Sequence, residues 1–222
     1  FRISRFDDPA EAARSGYEPG LEYFFAPNIW PSEVPALRSA LTAYYDALTD
    51  LGATMMRIFA LALDLPEDWF DGTIDRHITN LCLNHYPAQD KPPAPGQLRR
   101  GAHTDYGSMT ILYQDDAPGG LQVHSLGAWE DVPHIPGTYV VNIGDLMARW
   151  TNDRWVSTRH RVINPDTAGR DRLSIPFFHQ PNYDAVIACL PSCTDDRHPP
   201  RYAPVTSGEW VMRQTRRQVG VE

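Results

Sequence analysis

The stretch Gly101-Ala102-His103-Thr104-Asp105-Tyr106 sets an imidazole and a carboxylate two residues apart. Side chains alternate along an extended backbone, so His103 and Asp105 are expected to project to the same side. A metal held there needs a third protein ligand from a distant strand. His160, in Ser157-Thr158-Arg159-His160-Arg161-Val162, is the best candidate. Two imidazoles and one carboxylate on one face of an octahedron suit ferrous iron and leave three positions open for a co-substrate and oxygen. A His-x-Asp triplet alone is usually a loop or surface pair, so its weight depends on what the rest of the C-terminal half supplies.

A second cluster lies in Arg172-Leu173-Ser174-Ile175-Pro176-Phe177-Phe178. As a strand it places Arg172, Ser174, Pro176 and Phe178 on one face. There the guanidinium and the hydroxyl can grip a carboxylate, and Phe178 helps exclude water. Upstream, across 78–87, Asn80, Cys82, Asn84 and Tyr86 share one face while Leu81, Leu83 and His85 share the other. Amide, thiol and phenol groups on one side indicate a polar lining, with a half-solvated strand as the alternative.

Other reactive residues receive plainer readings. His77, His124, His134, His179 and His198 lack partners at ligand spacing and are assigned surface or core roles. Asp145 reads as a turn residue, and Asp115 and Asp116 as solvated turn acids. The Arg99-Arg100 and Arg216-Arg217 pairs read as solvated faces. Cys82, Cys189 and Cys193 form no Cys-x-x-Cys, which argues against a disulfide framework and fits a cytoplasmic protein.

The elements that must position these groups can be read in order. Residues 1–31 are irregular, punctuated by Gly16, Pro19, Gly20, Pro27 and Pro31, with Tyr23, Phe24, Phe25 and Trp30 expected to pin the segment to a surface. Ser32 reads as the N-cap of a long helix whose stripe runs Leu37, Leu41, Tyr44, Leu48, Leu51, Met55, Ile58, Ala62 and Leu65, ending before Pro66. Gly52 and the aromatics favour packing within the domain over a coiled-coil seam. A short helix is expected around Glu67–Phe70, closed by Gly72, and a Pro-rich loop over 88–98.

Strands then dominate: Met109–Gln114, Gly120–His124, Trp129–Val132, Thr138–Ile143, His160–Ile163, Arg172–Gln180 and Ala185–Ala188, with Ser207 capping a last helix over Glu209–Arg217. Many short strands without intervening helices indicate a mainly β fold with α, an antiparallel barrel or jelly roll braced by the long helix and shorter ones. The expected organisation is one domain over 1–222. It comprises an N-terminal segment with supporting helices over 1–75, a jelly-roll core over 76–206 and a C-terminal helix over 207–222.

Composition sets bounds. The 222 residues are 42% hydrophobic and 22% charged, as in an ordinary globule with one core. A net charge of −8 argues against a nucleic-acid surface, and no apolar run reaches membrane-spanning length. The expected partner is a small-molecule substrate, without nucleic acid or membrane, for a monomer or weak homo-oligomer. The first residue is Phe, so part of a native N-terminus is expected to be missing.

Several ordered motifs carry a family resemblance: Pro27-Asn28-Ile29-Trp30-Pro31, Asn84-His85-Tyr86-Pro87 and His103-Thr104-Asp105-Tyr106-Gly107. They continue with Gly119-Gly120-Leu121-Gln122-Val123, Val141-Asn142-Ile143-Gly144-Asp145, Thr151-Asn152, His160-Arg161-Val162, and Arg172-Leu173-Ser174 with Phe178. From about residue 27 to 217 the chain resembles the isopenicillin N synthase-like Fe(II)/2-oxoglutarate-dependent dioxygenases. The resemblance implies a double-stranded β-helix, with Fe(II) held by His103, Asp105 and His160. It implies that Arg172 and Ser174 hold the distal carboxylate of 2-oxoglutarate, that Asn84 and Tyr86 contact that co-substrate, and that O2 completes the set. Phe178 and Cys82 are expected in the substrate pocket.

The implied reaction is hydroxylation, or desaturation or cyclisation, of a small organic metabolite with release of succinate and CO2. The Asp105 carboxylate argues against halogenation, whose iron centres tend to lack it. Two other readings stay open: an Fe(II)/O2 oxidase of the same family that does not use 2-oxoglutarate, and a non-catalytic small-molecule-binding jelly roll. Two departures are visible: an N-terminal portion common in the family is absent or shortened, and His85 stands where relatives often have Tyr.

Overall fold

The computed structural model describes residues 1–7, 10, 22–117, 120–165 and 170–220. Gly16, Pro19, Gly20 and Gly119 lie outside them, as does the side chain of Tyr23. The helices are α1 (Glu22–Phe25), α2 (Ala36–Ala62), α3 (Asp71–Ile74), α4 (Asp145–Trp150) and α5 (Ser207–Val219). The strands run β1 (Arg2–Ser4), β2 (Asn80–Cys82), β3 (Asn84–Tyr86), β4 (Leu98–His103), β5 (Met109–Gln114) and β6 (Leu121–Ser125). They continue with β7 (Ala128–Asp131), β8 (Val140–Ile143), β9 (His160–Ile163), β10 (Arg172–His179), β11 (Val186–Ile187) and β12 (Val205–Thr206).

Two antiparallel sheets carry the architecture. One has the order β1-β2-β10-β5-β8, with β3 also on β10; the other has the order β4-β9-β6-β7. A cavity of about 640 Å³ lies between them, lined from both. This is a mainly β double-stranded β-helix, the jelly roll that the strand pattern predicts. Strands β2 and β3 meet β10 in one continuous register, Phe177 opposite Leu81 and Ser174 opposite Asn84. The break at Leu83 falls beside Pro176, which has no backbone N–H to give to a ladder.

Helix α2 buttresses the first sheet. Leu41, Tyr45, Leu48, Met56 and Ala60 share a core with Leu81, Met109, Ile111 and Phe177. The buried line runs 41, 45, 48, 52, 56, 60 and so departs from the predicted stripe, which leaves Ile58 51% exposed and Ala62 on the surface. Steps alternating four and three repeat every 3.5 residues, whereas a straight helix turns every 3.6, so the predicted stripe rotates away from the sheet. Gly52 stays on the true line because a Cβ there would stand 3.0 Å from His179 Cδ2.

Several boundaries differ from expectation. The helix starts after Pro35 rather than at Ser32, and no side chain caps it. The short helix is Asp71–Ile74, with Gly72 inside it. The supposedly irregular N-terminus contains β1, held antiparallel to β2, while Phe6, Phe24 and Phe25 pin the segment against Ile78 and Val211. The last helix is capped by Thr206 in a reciprocal box with Glu209, not by Ser207. Strand β4, starting at Leu98, and helix α4, between β8 and β9, carry no predicted counterpart. Among the described residues no helix is long and apolar enough to cross a membrane, and Cys82, Cys189 and Cys193 are free thiols.

Candidate metal centre and co-substrate pocket

His103 ends β4 and His160 opens β9, and the ladder pairs these two residues directly. Their rings lie 4.2 Å apart, centroid to centroid. Asp105 is not on the strand; it sits in the loop after β4, so the loop and not strand alternation brings it to the imidazoles. Asp105 Oδ1 lies 3.8 Å from His103 Nε2 and 3.6 Å from His160 Nε2. One ligand atom from each residue falls within 4.8 Å of the others, a set able to hold a metal ion.

The surroundings leave the right atoms free. His103 Nδ1 donates to the Gly101 carbonyl at 2.8 Å and His160 Nδ1 to that of Thr158 at 2.9 Å, which selects the tautomer whose Nε2 lone pair faces inward. Burial, and then the neighbouring His160, push His103 below the ordinary imidazole pKa and so favour the neutral ring that ligation requires. Asp105 Oδ2 accepts from Thr110 Oγ1 at 2.6 Å and Asn142 Nδ2 at 2.9 Å, which leaves Oδ1 for a metal. Thr110 and Asn142 are themselves partners across β5 and β8.

Helix α4 fixes the loop. The Asp145 and Leu146 amides bond the Asp105 and Gly107 carbonyls at 2.8 and 2.9 Å. Asp145 is thus the first residue of a helix, half-buried, and burial raises its pKa. It is not the turn residue expected.

The other end of the cavity is cationic. Register sets Arg172 opposite Tyr86 and Ser174 opposite Asn84, and all four line the cavity together with Cys82, Pro176 and Phe178. Arg172 is 2% exposed, and its Nη1 is buried without a hydrogen-bond partner. Burial lowers its pKa, against the opposing pull of Tyr86 and Asp115. A buried guanidinium with one nitrogen left unpaired calls for an anion, and with the two-nitrogen, one-oxygen donor set this fits iron and a dicarboxylic oxo acid.

His85 is exposed, and its Nε2 lies 2.9 Å from Asp171 Oδ2. His77 and His179 are core residues. Asp115 is not merely solvated: its Oδ2 accepts from the Leu173 amide at 2.6 Å and anchors the start of β10. Arg99 also departs from expectation, since its guanidinium is buried in the cavity while Arg100 is exposed. Thr110, Asn142 and Arg99 are the site residues that sequence reasoning did not single out. Asn142 lay inside a quoted motif; Thr110 and Arg99 carried no local signal.

Comparison with known proteins agrees with this geometry. The 2OG-Fe(II) oxygenase superfamily profile matches residues 78–181. The 2-oxoglutarate-Fe(II) type oxidoreductase hxnY of Emericella nidulans is 41% identical over 201 residues, 87% of this chain and 56% of that protein. The chain thus spans little more than half the length of this curated relative. A full-length Neurospora crassa protein, solved in complex with alpha-KG and thymine, superposes with a TM-score of 0.85 at 34% identity, covering 98% of this chain and 64% of the other. A Caulobacter crescentus structure described as a putative 2OG-Fe(II) oxygenase family protein gives 0.84 at 32%, covering 98% and 68%. With its fold and its sequence matching these proteins, and with a His-Asp-His set of its own able to hold a metal ion, the chain belongs to the 2OG-Fe(II) oxygenase superfamily.

Proposed function

We propose that this chain is the catalytic portion of a non-haem Fe(II)- and 2-oxoglutarate-dependent dioxygenase that oxidises a small organic metabolite. The observation that carries the reading is one cavity holding a His-Asp-His cluster together with a buried arginine, Arg172, whose Nη1 has no hydrogen-bond partner. His103, Asp105 and His160 hold the iron. Arg172 and Ser174 bind the distal carboxylate of 2-oxoglutarate, and Asn84 and Tyr86 flank it. Phe178 and Cys82 wall the substrate side.

With 2-oxoglutarate and O2, bound iron supplies an oxidant able to take hydrogen from a C–H bond, at the expense of decarboxylating the oxo acid to succinate and CO2. The protein's part is positional. Arg172 fixes the register of the oxo acid through its far end. Thr110 and Asn142 hold Asp105 in the orientation that presents Oδ1, and the apolar wall of Leu112, Leu121, Val162 and Phe178 limits water. Substrate pose decides between hydroxylation and desaturation or cyclisation.

A cavity of about 640 Å³ and an overall charge of −8 support a small metabolite over a macromolecule. Thymine in the N. crassa complex is a ligand of that class. The three free thiols support a cytoplasmic setting, and our reading of the assembly is a single domain acting as a monomer or weak homo-oligomer.

The test is iron-dependent succinate formation coupled to product mass across a metabolite panel. Asp105→Ala should abolish turnover while the protein still folds, and Arg172→Ala should raise the 2-oxoglutarate requirement at least about tenfold. Turnover without added 2-oxoglutarate would replace this reading with the oxidase one. Retained activity in Asp105→Ala would remove that carboxylate from the ligand set.

A further inference from the structure

We propose that Arg99 is a second anchor for the far carboxylate of 2-oxoglutarate, so that the co-substrate is gripped between two guanidinium groups; this rests on the reading just given. The first observation is a defect in a ladder. Leu98 pairs with Ile163 and Arg100 with Val162, two residues forward on β4 against one back on β9. Arg99 is therefore the extra residue of a β-bulge, a device that kinks a strand and re-aims a side chain.

The re-aimed side chain points into the cavity. Arg99 Nη1 and Nη2 are both buried, and neither has a hydrogen-bond partner. The Arg99 Cζ lies 5.6 Å from the centroid of the Tyr86 ring, and the Arg172 Cζ lies 5.2 Å from the same centroid. Two like charges thus share one aromatic side chain, and three of their Nη atoms lack acceptors.

Among the described residues, no acid is hydrogen-bonded to any of these three Nη atoms, although the Asp115 charge acts on Arg172. Asp115 commits its two oxygens to the Leu173 and Ala117 amides, and Asp116 pairs with Arg170. Asp105 belongs to the metal end, where its Oδ2 is taken by Thr110 and Asn142. Leaving buried guanidinium donors unpaired is costly, and packing two together adds repulsion, so the arrangement makes sense when an anion with several lone pairs enters. A carboxylate has about four acceptor sites, enough for both groups.

Position selects the co-substrate over the substrate as the source of that carboxylate. Arg99 precedes His103 by four residues on β4. On β10, Arg172 lies six residues before Phe178, which stands opposite the Asp105 partner Thr110. Both arginines therefore lie toward the end of the cavity remote from the metal ligands, where the far carboxylate of a chelated oxo acid arrives. The chemical consequence is selectivity for oxo acids bearing a second carboxylate.

The experiment is isothermal titration of the Mn(II)-loaded protein, its Arg99→Met and Arg99→Lys variants, with 2-oxoglutarate and with 2-oxobutyrate, which lacks the distal carboxylate. Melting curves confirm that each variant is folded, and Arg99→Gln replaces Arg99→Met if the latter is not. The expected result is a roughly ten- to hundredfold loss of 2-oxoglutarate affinity in Arg99→Met, partial recovery in Arg99→Lys, and unchanged 2-oxobutyrate binding. Wild-type affinity for 2-oxoglutarate in Arg99→Met overturns the proposal, and a raised substrate KM in that variant then assigns Arg99 to a substrate anion. Equal losses for both oxo acids also overturn it, since they report a collapsed cavity. Failure of the wild-type protein itself to bind 2-oxoglutarate withdraws the co-substrate reading and this inference with it.

Discussion

The two oxygens of Asp105 do different work. Oδ2 is saturated by Thr110 and Asn142, and Oδ1 is left facing two imidazole nitrogens. Removing those donors frees the carboxylate to rotate, so Thr110→Val and Asn142→Ala should each weaken Mn(II) binding about 10–100-fold. Titration followed by electron paramagnetic resonance reads this directly; wild-type affinity in both variants would show that the two donors are irrelevant to ligation. At this scale the sequence was informative where chemistry is carried by short motifs. His103, Asp105, His160, Arg172 and Ser174 line one cavity, although a loop replaces the strand alternation expected to bring Asp105 beside His103. Thr110 and Arg99 were unreadable for a physical reason. A threonine in an apolar strand and an arginine in a basic pair look ordinary until register and a bulge decide which way they face.

Among the elements, the loop from Asp105 to Ser108 is held from two sides. The amides at the start of α4 hold its carbonyls, and the Ser108 amide bonds the His179 carbonyl at 3.1 Å. A Cβ on Gly107 would stand 2.3 Å from that same His179 carbonyl oxygen, a backbone atom that cannot rotate away. Gly107→Ala should therefore cost about 1–3 kcal/mol of stability and also weaken metal binding, because the loop must shift and carries Asp105 with it. A melting temperature and Mn(II) affinity both at wild-type values would refute this account of the loop. Helix α4 itself was hidden from periodicity. Six residues give too little pattern, and Gly144-Asp145 reads equally as a turn. The long helix shows the converse: its existence was plain from sequence, but a stripe repeating every 3.5 residues drifts off the buried line, so that Leu51 and Met55 are only half-buried against the core and Ile58 and Ala62 face out.

Across the whole molecule, antiparallel register assembles the site. His103 with His160, Arg172 with Tyr86, Ser174 with Asn84 and Thr110 with Asn142 are all direct cross-strand pairs. That architecture must be kept rigid from behind, and there the sheet, α2 and the segment before β2 converge on two buried rings. His179 packs beside Gly52 of α2, and its Nδ1 lies 2.6 Å from Ser108 Oγ. His77 stacks between Tyr45 and His179. Burial lowers the pKa of His179 to about 4; burial, with His179 and Arg5 adding to it, lowers that of His77 to about 3. Both values lie below the unfolded imidazole value of about 6.5, so the unfolded chain takes up these protons first. Their contribution is fully present above pH 6.5 and is lost as pH falls toward 4, at roughly 1.4 kcal/mol per unit for each ring. Melting temperature should accordingly drop between pH 6.5 and 5, above the range in which ordinary carboxylates titrate. The slope should flatten by about one proton in His179→Gln, with His77→Gln giving the same comparison at the adjacent ring. Parallel slopes for the wild-type protein and both variants would show that these imidazoles do not couple the fold to pH.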